Sequence, residues 1–280
     1  TLPTDTMPPI ASAHPRIYLP RNATRLTALI AGNHPSATRY LEQAAALRSR
    51  SYSSLYNSAY TMQHFALVAQ LTGDTSYCTF AVTGIEQFVT AEEGRIAAGT
   101  TPAVAGDSYL EVGPIVGDLS IVIDWCFEQT TATQRARWLA YGDQAVWNVW
   151  HPDDAQWGGR ARPWTGWSID NPSNNYYYSF LRATMLLGLA GRGELASADQ
   201  WLDFFRNTKI AQQLVPTFER DLVGGGSREG TGYGTAMMRL WEIYDLWYGT
   251  TGEDISSWTG HTRASLLHFM HYTLPTLDGV

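Results

Sequence analysis

Two short segments of the chain contain side chains that can hold negative charge and move protons. Asn174 and Asn175 stand at the start of a helical pattern, and each side-chain amide offers two N–H donors. The stretch 224–234 carries Glu229 and Tyr233 among six glycines, which let the backbone approach a ligand closely. Donors aimed at developing charge and a phenol that transfers a proton suit acid–base chemistry on a substrate that becomes more negative.

In these two segments the sequence resembles polysaccharide lyases of the heparinase II/III-like and alginate lyase group. That group has an Asn or Asn-His pair at the start of an inner helix and, later in the chain, a Glu-Gly-x-x-Tyr phrase with a catalytic tyrosine. Residues 229–233 read Glu-Gly-Thr-Gly-Tyr, and Tyr233 follows Asn175 by 58 residues. The opening phrase His-Pro-Arg-Ile-Tyr-Leu at 14–19 is also similar to the N-terminal edge of the group.

The resemblance implies an all-α fold of the (α/α) toroid type and cleavage of a uronic-acid-containing glycan by β-elimination, without a cofactor or metal. Such a reaction removes the C5 proton of a uronic acid and expels the 4-linked sugar. On this basis Asn175 neutralises the substrate carboxylate, with Asn174 as its rival, and Tyr233 protonates the leaving oxygen. Because few basic residues are available to meet sulfates, glucuronan or alginate is the expected substrate.

The base of the reaction is left open by the sequence. The histidine that often follows the Asn in the group is replaced here by Tyr176. Tyr176, Tyr177, Tyr233 itself or His64 from another helix can take this role. A tyrosine base needs a lowered pKa, which a cation such as Arg228, five residues before Tyr233, can provide. Against these roles, tyrosines at helical spacing and a histidine on an apolar helix are usually core residues.

A long loop at 150–173 is a candidate for substrate binding. The 21 residues 147–167 hold five of the 11 tryptophans, a concentration that an even spread does not produce. Rings stack on the faces of sugars, and guanidinium groups match carboxylates, so the loop offers two kinds of contact to a polyuronate. The alternatives are a plug of core rings and a solvated basic loop. The candidate substrate-binding residues are Trp157, Trp164, Trp167, Arg160 and Arg162, together with Tyr177 and Glu229.

Two other functions remain open at this point. Asp170 and Glu229 could act as acid and base of a glycoside hydrolase on the same scaffold, which the acidic net charge of -7 favours for a neutral glycan. A non-catalytic glycan-binding protein would use the tryptophan-rich loop alone. Glu229 has further alternatives, since it could order Arg228, bind a sugar hydroxyl or form a structural salt bridge.

Helices must position these residues. Apolar residues recur at steps of three and four, and Gly followed by an acidic residue at 73–74 and 252–253 marks helical hairpins. We expect an extended lead-in at 1–22 and one catalytic domain at 23–280, with the hairpins stacked in a toroid rather than a solenoid. The predicted helices lie at 36–50, 55–72, 75–91, 107–128, 133–149, 174–190, 195–207, 235–248 and 257–272.

Composition excludes several classes of protein. The chain has 19 Lys and Arg against 26 Asp and Glu, so it lacks the basic surface that nucleic acids and anionic membranes require. Cys78 and Cys126 permit one disulfide without requiring it. The pair His268 and His271 has a metal-binding spacing but no carboxylate or cysteine at a matching position. We expect a secreted or periplasmic monomer with a polysaccharide as its partner.

Overall fold

The computed structural model describes residues 6–50, 61–230 and 236–272, and within these ranges the protein is predominantly α-helical. The all-α prediction is therefore confirmed. Strand pairing among the described residues is confined to a two-residue antiparallel ribbon, β1 (Gln156–Trp157) and β2 (Arg160–Ala161). No helix in the described part of the chain combines the length and apolar character needed to cross a bilayer.

The α-helices are numbered in chain order. They are α1 (Leu19–Ala31), α2 (Pro35–Leu47), α3 (Met62–Thr72), α4 (Ser76–Ala97), α5 (Val112–Trp125), α6 (Ala132–Trp150), α7 (Asn175–Gly191), α8 (Ala198–Asp203), α9 (Val215–Asp221), α10 (Ala236–Thr251) and α11 (His261–Tyr272). A π-helical segment, Phe204–Leu214, joins α8 to α9. Short 3₁₀ turns lie at Ala103–Ala105, Asp107–Tyr109, Phe127–Gln129, Pro152–Asp154 and Ile255–Trp258.

Helices α5 and α7 form the centre of the fold. Both are apolar on all sides, and nearly every residue of each is buried, as expected for helices enclosed by others. They pack with unusually close backbones: a Cβ added to Gly113 would lie 2.7 Å from the carbonyl oxygen of Ser179. At Gly117 an added Cβ would overlap the guanidinium of Arg182. Since 113 faces 179 and 117 faces 182, the two helices run in the same direction.

Helix α3 runs in this direction as well. The carboxylate of Asp118 accepts the backbone N–H groups of Met62 and Gln63 at the start of α3, at 3.0 and 2.6 Å. Further along both helices, the side chain of Gln70 donates to the carbonyl of Trp125. The starts of α3, α5 and α7 therefore lie at one end of the fold.

The intervening helices run in the opposite direction. A disulfide joins Cys78 near the start of α4 to Cys126 at the end of α5, with the two Cα atoms 5.4 Å apart. In α6, Gly142 packs on Leu187, and the indole of Trp150 donates to Thr184 nearer the start of α7. Each consecutive pair of these helices thus forms a hairpin.

The predicted turn at 73–74 is confirmed: Gly73 adopts a left-handed conformation with φ 75°, and Asp74 accepts the N–H of Ser76 at 3.0 Å. In the second copy Gly252 is also left-handed, with φ 79°, but the acid that caps the turn is Asp254, whereas Glu253 pairs with Arg206. Glycine is needed at both positions because a Cβ is disfavoured at positive φ.

The residues before α1 close the end of the fold opposite to the starts of α3, α5 and α7. Asp124, near the end of α5, accepts the backbone N–H groups of Arg16 and Ile17 and contacts the His14 ring at 2.6 Å. The Arg16 guanidinium donates to the carbonyl of Arg192 just after α7, which satisfies an acceptor that the helix end leaves unpaired.

Two parts of the chain differ from the element predictions. The lead-in was expected to extend to residue 22 and no helix was predicted before residue 36, but α1 begins at Leu19, with Pro20 in the first helical turn, where proline is tolerated. The helix predicted at 195–207 continues as a π-helix. Its buried residues, such as Phe205, Lys209 and Leu214, follow one another at intervals of four or five residues. A search at the α-helical period does not detect this spacing.

The close approach of α5 and α7 predicts a sharp contrast between two Gly-to-Ala variants. Gly113→Ala should lower the free energy of unfolding by about 1–3 kcal/mol, since the methyl group overlaps the α7 backbone. Gly94→Ala is the matched control, because Gly94 lies on the exposed side of α4 with no atom within 4 Å of an added Cβ. That control should gain about 0.5–1 kcal/mol. Urea unfolding measures both, and equal effects would contradict the packing.

Candidate functional site

The end at which α3, α5 and α7 begin carries most of the predicted site residues, and we call it the asparagine face. Three parallel helices direct the positive ends of their dipoles toward this face, and Asp118 and Glu229 accept the first N–H groups of α3 and α7. The segment 151–173 covers part of it, because Trp164 packs against Phe180 in the first turns of α7 with ring centroids 6.0 Å apart. The geometry favours an anionic ligand group at this end.

Glu229 fixes the start of α7. Its carboxylate accepts the side-chain N–H of Asn174 at 2.8 Å and the backbone N–H of Asn175 at 3.0 Å. The other end of the Asn174 amide, Oδ1, accepts the N–H of Tyr176 at 3.0 Å and so caps the helix. The two sequence segments predicted to act together are therefore in direct contact.

The two asparagines differ in what they leave available. Both ends of the Asn174 amide are engaged, one in the helix cap and one with Glu229. The side chain of Asn175 is half-buried and makes no hydrogen bond to any residue that the structure describes. Of the two, Asn175 is the one whose N–H donors can meet a substrate.

Glu229 is half-buried, and burial raises its pKa, an effect that the hydrogen bond from the Asn175 backbone opposes. Its partner in the hydrolase alternative, Asp170, is exposed and ion-paired with Lys209 at 3.3 Å. One carboxylate thus caps a helix and the other holds a lysine, so neither is placed as an unengaged acid or base.

Tyr176 lies at the edge of the asparagine face. Its hydroxyl donates to Asp107 at 3.1 Å. Asp107, Ser108 and Tyr109 have consecutive positive φ angles of 41°, 51° and 64°, which non-glycine residues rarely adopt. Strain of this kind is often found at functional sites. Sequence reasoning missed Asp107, since nothing in its local pattern distinguishes it from other loop carboxylates.

The next two tyrosines are core residues. Tyr177 is completely buried, and its hydroxyl oxygen lies 2.9 Å from the carbonyl oxygen of Lys209 and 3.0 Å from the side-chain oxygen of Gln213, either of which can accept its single proton. The predictions that Tyr177 binds substrate or acts as base are therefore wrong. Tyr178 is equally buried, and burial raises the pKa of its hydroxyl far above the usual range. Its Oη and the Oγ of Ser173 are shielded from solvent without a hydrogen-bond partner among the described residues.

The three tryptophans of the long loop have different environments. Trp157 is 3% exposed and donates its N–H to Tyr109, so no face of its ring can stack on a sugar, and its predicted role is wrong. Trp164 is partly buried and donates to the carbonyl of Asn148. Trp167 is 57% exposed, which leaves a ring available for ligand contact.

The three candidate arginines lie in two different environments. Arg160 and Arg162 donate to the carbonyls of Ile96 and Gly99 at the end of α4, where cations are favoured by the helix dipole. Arg228 is exposed and ion-paired with Asp221 at 3.4 Å. Tyr233, the proposed acid, lies outside the described residues.

His64 is a structural residue of α3. Its Nδ1 accepts the backbone N–H of Thr61 at 3.1 Å, which places the proton of a neutral ring on Nε2. Burial lowers its pKa and keeps the ring neutral. In this tautomer Nδ1 is occupied and Nε2 is a donor, so the ring is not placed to act as a base.

A buried polar cluster below the face was not predicted. Arg182 is 4% exposed, and its guanidinium donates to Glu242, to Gln63 and to the carbonyl of Gly113 at 2.7–3.1 Å. Asp118 is 1% exposed and caps α3, as described above. Nothing in the sequence separates these residues from surface charges, because both types occur within helical patterns.

Lys209 is a second buried cation that the sequence did not reveal. It is 4% exposed and donates to the carbonyl of Ile169 and to Gln213, with its Nζ 4.3 Å from the Trp150 ring centroid. These contacts hold the turn that leads to Asn174. The π-helical backbone that carries Lys209 is itself a frequent feature of functional sites.

Among the described residues, no group of three His, Cys, Asp or Glu side chains is arranged to hold a metal ion. Of the histidines near the C-terminus, His261 is buried and contacts the carbonyl of Gly226 at 3.1 Å. No protein-family model matches the chain, and no curated protein is significantly similar to it in sequence.

Asp118 predicts a specific pH dependence of stability. Burial raises the pKa of its carboxyl to about 6, above the value of about 3.9 in an unfolded chain. A raised acid pKa gives stability that is present below pH 4 and is lost as the pH rises through 6. Between pH 4 and 7, the free energy of unfolding of the wild type should fall relative to that of Asp118→Asn by up to about 3 kcal/mol.

Urea unfolding at both pH values measures this difference, and contributions from other groups cancel between the two proteins. Asp153→Asn, which changes an exposed carboxylate on a surface turn, is the matched control and should keep the wild-type pH dependence. Identical pH dependence in Asp118→Asn and the wild type would contradict the assignment.

Proposed function

We propose that the protein is a polysaccharide lyase that cleaves a uronic-acid-containing glycan by β-elimination. The observation that carries the proposal is the unengaged amide of Asn175, held at the start of a buried helix by Glu229 and Asn174. The alternation of parallel inner helices with antiparallel outer ones supports a complete or incomplete (α/α) toroid, with the site at the end where the inner helices begin.

In this proposal Asn175 and the helix starts act on the substrate carboxylate. When the C5–H bond breaks, its electron pair forms the C4–C5 double bond and the C4–O bond to the leaving sugar breaks. Negative charge develops on the carboxylate during this process. Preorganised donors that strengthen as charge develops are usually the largest single contribution to catalysis.

The proton leaves C5 for a base and another reaches the leaving oxygen from an acid. Tyr233 remains the acid that the sequence indicates, and it follows Glu229 by four residues. For the base we favour Tyr176, because its hydroxyl is bonded to Asp107 at the edge of the face, whereas Tyr177 and His64 are engaged in the core. Asp107 would accept the hydroxyl proton as Tyr176 takes the C5 proton.

Two further features fit a glycan substrate. The exposed ring of Trp167 can stack on a sugar of the bound chain. The disulfide between Cys78 and Cys126 fits an oxidising compartment, in line with a secreted or periplasmic enzyme that meets its polymer outside the cytoplasm.

The proposal predicts the appearance of an ultraviolet-absorbing double bond when the protein is incubated with glucuronan or alginate. Asn175→Asp should reduce the rate by about 10²–10³-fold, because it replaces a donor with a negative charge beside the substrate carboxylate. Tyr233→Phe should reduce it by about 10²–10⁴-fold, while substrate binding persists.

Gln87→Glu is the matched control for Asn175→Asp, since it makes the same amide-to-acid change on the exposed side of α4 and should keep the wild-type rate. Full activity of Asn175→Asp would remove Asn175 from the site. New reducing ends on a neutral glycan without absorbance would instead indicate a hydrolase. Silence in both assays, with glycan binding retained, would indicate a binding protein.

A further inference from the structure

A cavity of about 440 Å³ lies between the second half of α10 and the segment 254–262. It is separate from the asparagine face. Arg182 lies about 10 Å along α7 from Asn175, and its side chain contacts Glu242 of α10. Glu242 therefore lies about 10 Å from the asparagine face. The cavity extends from this part of α10 toward Gly249, which packs on Tyr18 at the opposite end of the fold.

Three aromatic rings form one side of this α10 cavity. Trp241, Tyr244 and Tyr248 recur at steps of three and four, so they lie in a row on one side of the helix that spans about 10 Å. Tyr248 is 52% exposed, while Trp241 is held by an edge contact with Phe269 of α11 at 5.5 Å. Tyr244 is 6% exposed and supports the row from behind, so Tyr248 and the partly exposed Trp241 are the rings that a ligand can reach.

The polar lining consists of groups that accept hydrogen bonds from hydroxyls. Asp245 and Asp254 line the cavity, and neither forms an ion pair with any described residue. Asp254 is held in position because it caps the turn at Ser256, and the charge of Asp245 helps to raise the pKa of the nearby Tyr18 hydroxyl, after the larger effect of burial. The hydroxyls of Ser256 and Thr262 complete the lining.

We propose that the α10 cavity binds an extended, β-linked neutral glycan, with its sugar rings against the aromatic row and its hydroxyls on the two carboxylates. The flat faces of successive sugars recur along such a glycan, just as the aromatic rings recur along α10. The unpaired carboxylates repel uronates and sulfates, so the ligand differs from the polyuronate of the asparagine face.

Two other ligand classes fit less well. A quaternary ammonium group is recognised by rings that surround it, whereas these rings form a row along one helix. A calcium ion takes six to eight oxygen ligands, and the cavity supplies two carboxylates and two hydroxyls. Rings in a row with acceptors on the facing side match a sugar chain better than either ion.

The test is calorimetric titration of the full chain with cellohexaose, xylohexaose and mannohexaose, and with hexaglucuronate as the charged comparison. At least one neutral hexamer should bind, and Tyr248→Ala should weaken that binding about tenfold because it removes an exposed ring of the row. Asp254→Asn should also weaken it, while the turn persists because Asn caps as well as Asp.

Leu267→Ala is the matched control, because it removes a similarly exposed apolar side chain that does not line the cavity, and it should leave neutral-hexamer binding unchanged. The proposal is overturned if no neutral hexamer binds at millimolar concentration, or if Tyr248→Ala has no effect. Binding of tetramethylammonium that Tyr248→Ala abolishes, without hexamer binding, also overturns it. Because the readout is binding of uncharged sugars, the result is independent of whether the asparagine face is a lyase site.

Discussion

The close contact between α5 and α7 determines the arrangement of the rest of the protein. Glycines at 113 and 117 allow the two backbones to meet, and a larger side chain at either position would separate them. The contact fixes both direction and register: Gly113 faces Ser179, so α7 begins about one helical turn before the level at which α5 begins. Helices α4 and α6 run in the opposite direction, which produces the hairpins beside this pair. The site at the start of α7 is a consequence of this packing.

The parallel helices α3, α5 and α7 place the positive ends of their dipoles at one end of the fold and the negative ends at the other. Different groups of the chain balance the partial charge at each end. At the end where these helices stop, the lead-in donates backbone N–H groups to the buried Asp124 carboxylate, and the Arg16 guanidinium donates to the carbonyl of Arg192. At the end where they begin, Asp118 and Glu229 accept helix N–H groups. Glu229 accepts the backbone N–H of Asn175, while the side-chain amide of Asn175 makes no hydrogen bond to a described residue. The compensation is thus incomplete at the one position where an anionic substrate is proposed to bind.

The sequence predicted those parts of the fold that depend on local patterns. The helix at Asn175 and the left-handed Gly73 and Gly252 follow from periodicity and capping chemistry. The contact between the segments at 174–175 and at 229 was implied by the resemblance to the lyase group. It did not predict which of several similar residues is buried, because Trp157 and Trp167 differ only in what packs against them. The π-helix, the buried Lys209 and the strained turn at Asp107 were also missed. Each depends on tertiary contacts that override local preference.

The acidic net charge first favoured a neutral ligand over a polyuronate, and the positions of the charges resolve this difficulty. Net charge governs long-range behaviour, whereas recognition depends on the donors and acceptors within a few ångströms of the ligand. The asparagine face presents helix starts and an amide, while the α10 cavity presents two unpaired carboxylates. If both proposals hold, the two surfaces select glycans of different charge, an anionic one at the asparagine face and a neutral one in the α10 cavity. An acidic protein can in this way keep a local preference for an anionic substrate.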